Sequence, residues 1–84
     1  MAPEKSPVQE YLLQKLTVIM ATPISSQMAD KNLFAIGMDS YGFMELVTEV
    51  ESEFSITFDE QDLVSVHMQT ISGLTGLIEK KKLQ

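Results

Sequence analysis

Apolar residues recur at helical spacing in several segments of the chain, and no segment alternates convincingly over the length of a strand. The first periodic segment opens with Ser6, and proline and glutamine in the first and third helical positions complete the pattern of a capping box. Behind it runs one apolar stripe, made of Val8, Leu12, Leu16 and Ile19. We therefore predict a first helix over residues 7 to about 21, which Pro23 ends.

A long connection over residues 22–38 separates this helix from the next periodic segment. Its proline, serines and glycine, together with Asp30-Lys31-Asn32, are typical of a loop. A connection of this length in so small a domain either serves a function or packs on the core. Four apolar residues favour packing, and we expect the loop to bury Ile24, Leu33, Phe34 and Ile36.

The clearest helical pattern follows this loop. If each residue turns the helix by about 100°, one set of apolar residues falls within an arc of about 60° around the helix axis. With Leu46 beside it, the stripe contains Phe43, Val47, Val50 and Phe54. This predicts a helix over residues 40–54 with Asp39 as its N-cap. The opposite face carries two large apolar side chains that the core does not need, and its members are Tyr41, Met44, Glu45, Thr48 and Ser52.

Two shorter patterns complete the chain. Acidic residues in a first turn predict a short helical stretch over residues 59 to about 66. Thr70 then caps a last helix, which ends in three lysines and whose inner stripe contains Ile71, Leu74, Leu77 and Ile78. The predicted fold class is all-α: a small four-helix bundle of three longer helices and one short one, with a long first loop. We expect a single domain over residues 1–84, with its core at about 7–82.

Length and composition exclude several classes of function. With 84 residues the chain is too short for an α/β-hydrolase, a TIM barrel or a full Rossmann unit. It has no cysteine and one histidine, His67, so we expect no metal site and no histidine-based catalysis. Neither a signal peptide nor a membrane span is visible in the sequence, which favours a cytoplasmic protein. We expect it to be a monomer.

The charge is concentrated in one segment of the chain. Twelve acidic residues and six lysines give a net charge of −6, and residues 39–62 contain eight acids and no basic residue. A nucleic-acid binder requires the opposite sign, because such binding depends on neutralising phosphates. The cluster favours a basic protein partner or a cation, although neither Asp39 nor Asp59 begins the spacing of an EF-hand calcium loop.

Ser40 is the candidate reactive residue, because it follows the long loop and begins a helix. The N–H groups and the dipole at a helix N-terminus favour a phosphate at this position. Alternatively, Ser40 only helps Asp39 to cap the helix. A hydrolytic nucleophile does not fit, because the Gly-x-Ser-x-Gly pattern would need glycine where Met38 stands.

Three segments together carry a family resemblance: Leu33-Phe34-Ala35-Ile36-Gly37-Met38-Asp39-Ser40-Tyr41, then Met44-Glu45-Leu46-Val47, then Glu51-Ser52-Glu53-Phe54-Ser55-Ile56. Through them, and over roughly residues 8–80, the sequence resembles the acyl carrier protein family. It implies that Ser40, preceded by Asp39, receives 4′-phosphopantetheine from CoA through a phosphopantetheinyl transferase. Acyl groups would then be held as thioesters on this arm, and the carrier itself would have no catalytic residue. The absence of cysteine is consistent with a thiol on the arm.

The resemblance also implies two further sets of residues. Partner enzymes with basic surfaces would contact the second helix through Tyr41, Met44, Glu45, Thr48, Glu49 and Glu51. A cargo cavity between that helix and the 59–66 segment would be lined by Val47, Val50 and Leu63.

The sequence departs from the family at the docking surface. Tyr41 stands where leucine is most common, Gly42 and Ser52 occupy positions that are often acidic, and Thr48 replaces an apolar residue. Two carrier hypotheses follow. The acidity of residues 39–62 favours an acyl carrier of fatty-acid, polyketide or specialised lipid synthesis, whereas the Tyr41-Gly42 pair favours a carrier of amino or aryl acids, as in peptidyl and D-alanyl carriers. A helical adaptor that binds a basic partner without a prosthetic group is the alternative of another class.

Overall fold

A computed structural model describes residues 6–83 as four α-helices joined by loops and three 3-10 turns. The helices are α1 (Pro7–Met20), α2 (Ser40–Phe54), α3 (Glu60–Leu63) and α4 (Ile71–Lys82), and the turns are Ser26–Met28, Phe34–Ile36 and Val66–Gln69. These described residues contain no strand, which confirms the all-α prediction of three longer helices and one short one. None of the four helices is long and apolar enough to cross a membrane.

Side-chain caps set the starts of the helices. The Ser6 hydroxyl accepts a hydrogen bond from the Val8 N–H at 3.1 Å, and the Thr70 hydroxyl accepts one from the Gly73 N–H at 3.0 Å. Both N-cap residues are confirmed predictions, whereas the reciprocal side-chain bond of Gln9 that would complete the predicted capping box is not formed among the described residues. α1 ends where Ala21 takes a left-handed backbone with φ of 55°, so local signals account for the length of this helix.

The core lies where α4 packs on α1 and on the turn over residues 66–69, while α1 also contacts α2. Its buried apolar side chains are Val8, Leu12, Leu13, Leu16, Ile24, Leu33, Met38, Leu46, Val47, Val50, Phe58, Met68, Ile71, Leu74 and Ile78. Leu46 is fully buried, whereas Phe43 and Phe54 are only half-buried. The buried stripe of α2 is therefore rotated towards Leu46 from the direction that the sequence predicts.

The first loop packs on the core through Ile24 and Leu33, as predicted, and Ile36 is half-buried. Phe34 contradicts the prediction, because 39% of its surface is exposed and its ring instead lies 5.5 Å from the ring of Phe43. The reason is local. Phe34 begins a three-residue 3-10 turn, in which consecutive side chains point in different directions.

The predicted helix over residues 59–66 is wrong in its extent, since α3 has four residues and a separate turn follows it. Ser65 adopts an extended backbone, and its hydroxyl accepts a hydrogen bond from the N–H of His67 in that turn. Val64 and Val66 are 80% and 71% exposed. This stretch therefore lacks the continuous apolar stripe that would hold a longer helix on the core.

Lysines at the end of α4 connect it to the acidic part of the chain. The Nζ of Lys81 lies 2.7 Å from Oδ2 of Asp62. This hydrogen bond, followed by one from the Asp59 N–H, holds the pKa of the Asp62 carboxyl below its ordinary value. Lys82 lies over the ring of Phe54, 5.3 Å from its centre, at the end of α2. Both α3 and the end of α2 are thus anchored on α4.

Gly73 allows α4 to approach the turn that precedes it. A β-carbon at position 73 would lie 2.7 Å from the Cα of His67 and 2.9 Å from its carbonyl carbon. At Gly76, on the same helix, a β-carbon would meet no atom within 4 Å. The two glycines differ in whether the fold has room for a methyl group.

Gly73→Ala should lower the free energy of unfolding by about 1–3 kcal/mol, because the backbone of the turn has to move. Gly76→Ala is the matched control and should raise it by about 0.5–1 kcal/mol, since alanine is the better helix former and the position is open. Urea unfolding followed by circular dichroism measures both variants. Equal effects of the two substitutions would contradict the close approach at Gly73.

Candidate functional site

Ser40 is the first residue of α2, and its side chain is exposed. Two backbone hydrogen bonds hold the segment that leads to it. The Leu33 N–H donates to the Gln69 carbonyl at 2.7 Å, and the Met38 N–H donates to the Leu33 carbonyl at 3.0 Å. Gly37 lies in this segment with φ of 121°, in the left-handed region that favours glycine. The serine therefore stands at the end of a loop that is fixed to the turn before α4.

Asp39 caps α2, which confirms the prediction. Its carboxylate accepts a hydrogen bond from the Gly42 N–H at 2.7 Å, and its carbonyl accepts one from the Phe43 N–H at 2.9 Å. Within residues 6–83, no hydrogen bond engages the Ser40 hydroxyl. The alternative in which Ser40 only assists the cap has no support in this geometry.

The start of α2 suits a phosphate ester on Ser40. The hydroxyl is exposed and unengaged, so a bulky group can be attached there without breaking a hydrogen bond of the fold. The N–H groups of a first helical turn lack intrahelical acceptors, and the helix dipole favours negative charge at this end. The arrangement can present one hydroxyl to the active site of another protein.

Gly42 is buried beneath the end of α1, a role that the sequence analysis missed. A β-carbon there would lie 3.0 Å from Cγ2 of Ile19 and 3.3 Å from Oδ1 of Asp39. A side chain at position 42 would meet α1 rather than solvent, so this position cannot supply a docking acid. The available signal is that Gly42 precedes the buried Leu46 by four residues and therefore lies on the same helical stripe.

Four of the six predicted docking residues share one exposed face of α2. Tyr41 is 82% exposed and Met44 is 50% exposed. Glu45 and Thr48 are exposed beside them, and the Thr48 hydroxyl donates to the Met44 carbonyl at 3.0 Å. We call these four residues the docking face.

The other two predicted docking residues, Glu49 and Glu51, make contacts within the fold, and their part in docking stays a prediction. The Oε1 of Glu49 lies 3.3 Å from Nζ of Lys15 on α1, and this contact raises the pKa of Lys15. The Oε2 of Glu51 accepts a hydrogen bond from the Phe58 N–H at 2.8 Å. At about 100° per residue the two glutamates fall on opposite flanks of the docking face, and both make contacts within the fold.

The residues predicted to line a cargo cavity lie in the core, where Val47 and Val50 are buried and Leu63 is half-buried. Two cavities that the structure outlines lie elsewhere. One of about 240 Å³ borders Gly42 at the end of α1, and one of about 300 Å³ lies on α4 beside Gly76. A cargo cavity between α2 and α3 stays a prediction.

A protein-family model described as "Phosphopantetheine attachment site" matches residues 10–78. Because the match spans most of the chain, the chain belongs to this family of carrier domains, whose prosthetic group is 4′-phosphopantetheine. The predicted family and prosthetic group are thus confirmed, and the type of carrier is left open. Neither the curated proteins nor the solved structures contain a significant match to the chain.

Asp39→Ala should lower the free energy of unfolding by about 1 kcal/mol, because α2 loses its cap. Ser40→Ala, at the adjacent position, should change it by less than about 0.5 kcal/mol, since the hydroxyl binds nothing in the fold. Urea unfolding of the two variants measures the difference. A Ser40→Ala variant as unstable as Asp39→Ala would restore the capping role of the serine.

Proposed function

We propose that Ser40 is the attachment residue and that the chain is an acyl carrier, which holds acyl groups as thioesters and delivers them from one enzyme to the next. The observation that supports this is the exposed, unengaged hydroxyl of Ser40 at the start of α2. When bound, 4′-phosphopantetheine supplies the thiol that this cysteine-free chain lacks. A separate phosphopantetheinyl transferase would attach it from CoA.

The residues of the chain position the attachment site, and none of them is proposed to catalyse a reaction. Asp39 fixes where α2 begins and therefore where Ser40 stands. The hydrogen bond from Leu33 to Gln69 holds the preceding loop, and the first turn of α2 favours the phosphate. The docked enzyme would supply the acids and bases of each reaction. We also propose that the carrier is a monomer and that it is located in the cytoplasm, as the sequence analysis predicts.

The docking face is proposed to receive enzymes that offer an apolar recess and a basic rim. Tyr41 and Met44 provide exposed apolar surface, and Glu45 provides a carboxylate beside it. A carrier has to leave each enzyme after delivery, which suits a small contact area and steering by charge. The net charge of −6 would attract basic surfaces over a longer range.

For the cargo we favour the acyl groups of fatty-acid, polyketide or specialised lipid synthesis, because the chain is acidic as a whole. Amino or aryl acids are the second candidate. Two observations favour them: Gly42 is buried beneath α1, and Glu49 and Glu51 are engaged within the fold, so the docking face has one carboxylate, that of Glu45. Loading the holo protein with malonyl-CoA-dependent transferases, or with ligases for amino and aryl acids, would separate the two by intact mass.

Ser40→Ala should abolish attachment of the arm, because the first turn of α2 contains no other serine or threonine. Ser52→Ala, which removes another exposed serine of the same helix, is the matched control and should be modified like the wild type. Intact mass after incubation with CoA and a broad-specificity phosphopantetheinyl transferase measures both. Modification of Ser40→Ala would place the attachment elsewhere, and an unmodified wild type would favour the adaptor hypothesis.

Glu45→Lys should slow transfer of the arm several-fold, and more at low salt than at high salt, because it reverses a charge on the docking face. Glu53→Lys makes the same change in net charge near the far end of α2 and should have a smaller effect. Met44→Ala should slow transfer with little salt dependence, since it removes apolar contact. Transferase kinetics across a salt series measure all three, and equal salt slopes for Glu45→Lys and Met44→Ala would remove this face from the docking mechanism.

A further inference from the structure

Phe34 and Phe43 form an aromatic pair, with ring centres 5.5 Å apart and planes inclined at 47°. Phe43 belongs to α2 and is half-buried against the core, whereas Phe34 comes from the preceding loop and is 39% exposed. The adjacent Leu33 is fully buried. The loop therefore places one large apolar side chain in the core and leaves the next at the surface, where the aromatic pair presents apolar area that the core does not use.

The aromatic pair lies on the same side of α2 as Ser40. Residues three apart in a helix are neighbours on one face, with about 5–6 Å between their β-carbons, and Phe43 stands three residues after the serine. Tyr41 is 82% exposed, and as the adjacent residue it does not share that face. A group that leaves Ser40 along the Phe43 side of α2 meets the aromatic pair within one helical turn, about 5.4 Å.

The prosthetic arm has one compact apolar group close to its point of attachment. In 4′-phosphopantetheine, a single methylene joins the phosphate to a carbon that bears two methyl groups, and a hydroxyl and two amides follow before the thiol. The reach from the serine oxygen to these methyl groups is comparable to one helical turn. Methyl groups gain free energy by leaving water for an aromatic surface, whereas the amides that follow keep their hydrogen bonds best in water.

We propose that the aromatic pair binds the geminal methyl groups of the arm and so directs the arm along the Phe43 side of α2, away from Tyr41. The inference rests on the proposed attachment at Ser40. With the root of the arm held on one side of the helix, Tyr41 and Glu45 stay open to the partner enzyme. The thiol and its cargo lie beyond the aromatic pair and remain free to move.

Nuclear magnetic resonance of the full-length holo protein tests this inference without an enzyme assay. The chain is loaded to completion with phosphopantetheine, and intact mass verifies the loading. We expect nuclear Overhauser contacts from the geminal methyl groups to the ring protons of Phe34 and Phe43. The methyl resonances should also move upfield relative to free pantetheine, because they lie against aromatic rings. Loading should shift the resonances of these two rings more than those of Tyr41.

Phe34→Leu keeps an apolar side chain and should reduce the upfield shift of the methyl groups. Tyr41→Leu is the matched control, and it should leave that shift unchanged. Contacts of the methyl groups with Tyr41, or with no aromatic ring, would overturn the inference while the attachment at Ser40 stands. A chain that gains no mass would overturn the attachment and this inference together.

Discussion

The hydrogen bond from the Gly42 N–H to the Asp39 carboxylate is the contact on which the rest of the site depends. It fixes the first residue of α2, and the helical repeat then assigns every later side chain a direction. Gly42 serves two purposes at once, because its N–H completes the cap and its missing side chain admits the end of α1. The serine between these two residues is left exposed by the same contacts.

The acidic residues of the chain divide into those that hold the fold and those that remain for partners. Glu49, Glu51 and Asp62 contact Lys15, the Phe58 N–H and Lys81, respectively. Exposed ion pairs such as Lys15–Glu49 contribute little to stability. The Asp62 and Lys81 side chains are 17% and 15% exposed, so their pair is screened less by solvent. The charges of Glu49 and Asp62 are therefore partly offset by Lys15 and Lys81, whereas Glu51 keeps its charge and the net charge of the whole chain is unchanged.

Local signals in the sequence were sufficient for the caps and for the outward direction of Met44. These features depend on residues within one or two helical turns of each other. An example is the cap that the Thr70 hydroxyl forms with the Gly73 N–H. The position of Ser40 after the loop made it a candidate, and the resemblance to a known family gave it a role, but neither predicted its contacts. The features that were missed depend on contacts between separate elements. Examples are the contact of Gly42 with Ile19, where helical spacing predicts burial but not the partner, and the engagement of Glu51 by the Phe58 N–H, which has no periodic signature.

The hydrogen bonds that place Ser40 do not involve α3, although α3 contacts the turn over residues 66–69 to which Leu33 is bound. The serine is held through Asp39, through the loop residue Met38, and through the hydrogen bond from Leu33 to the turn before α4. α3 is held at its end by the pair of Asp62 with Lys81, whose donor lies on α4. An outward movement of α3 would break that pair and expose the core beneath α3, but it would break none of the hydrogen bonds that place the serine. The start of α2 can therefore stay in place while α3 moves.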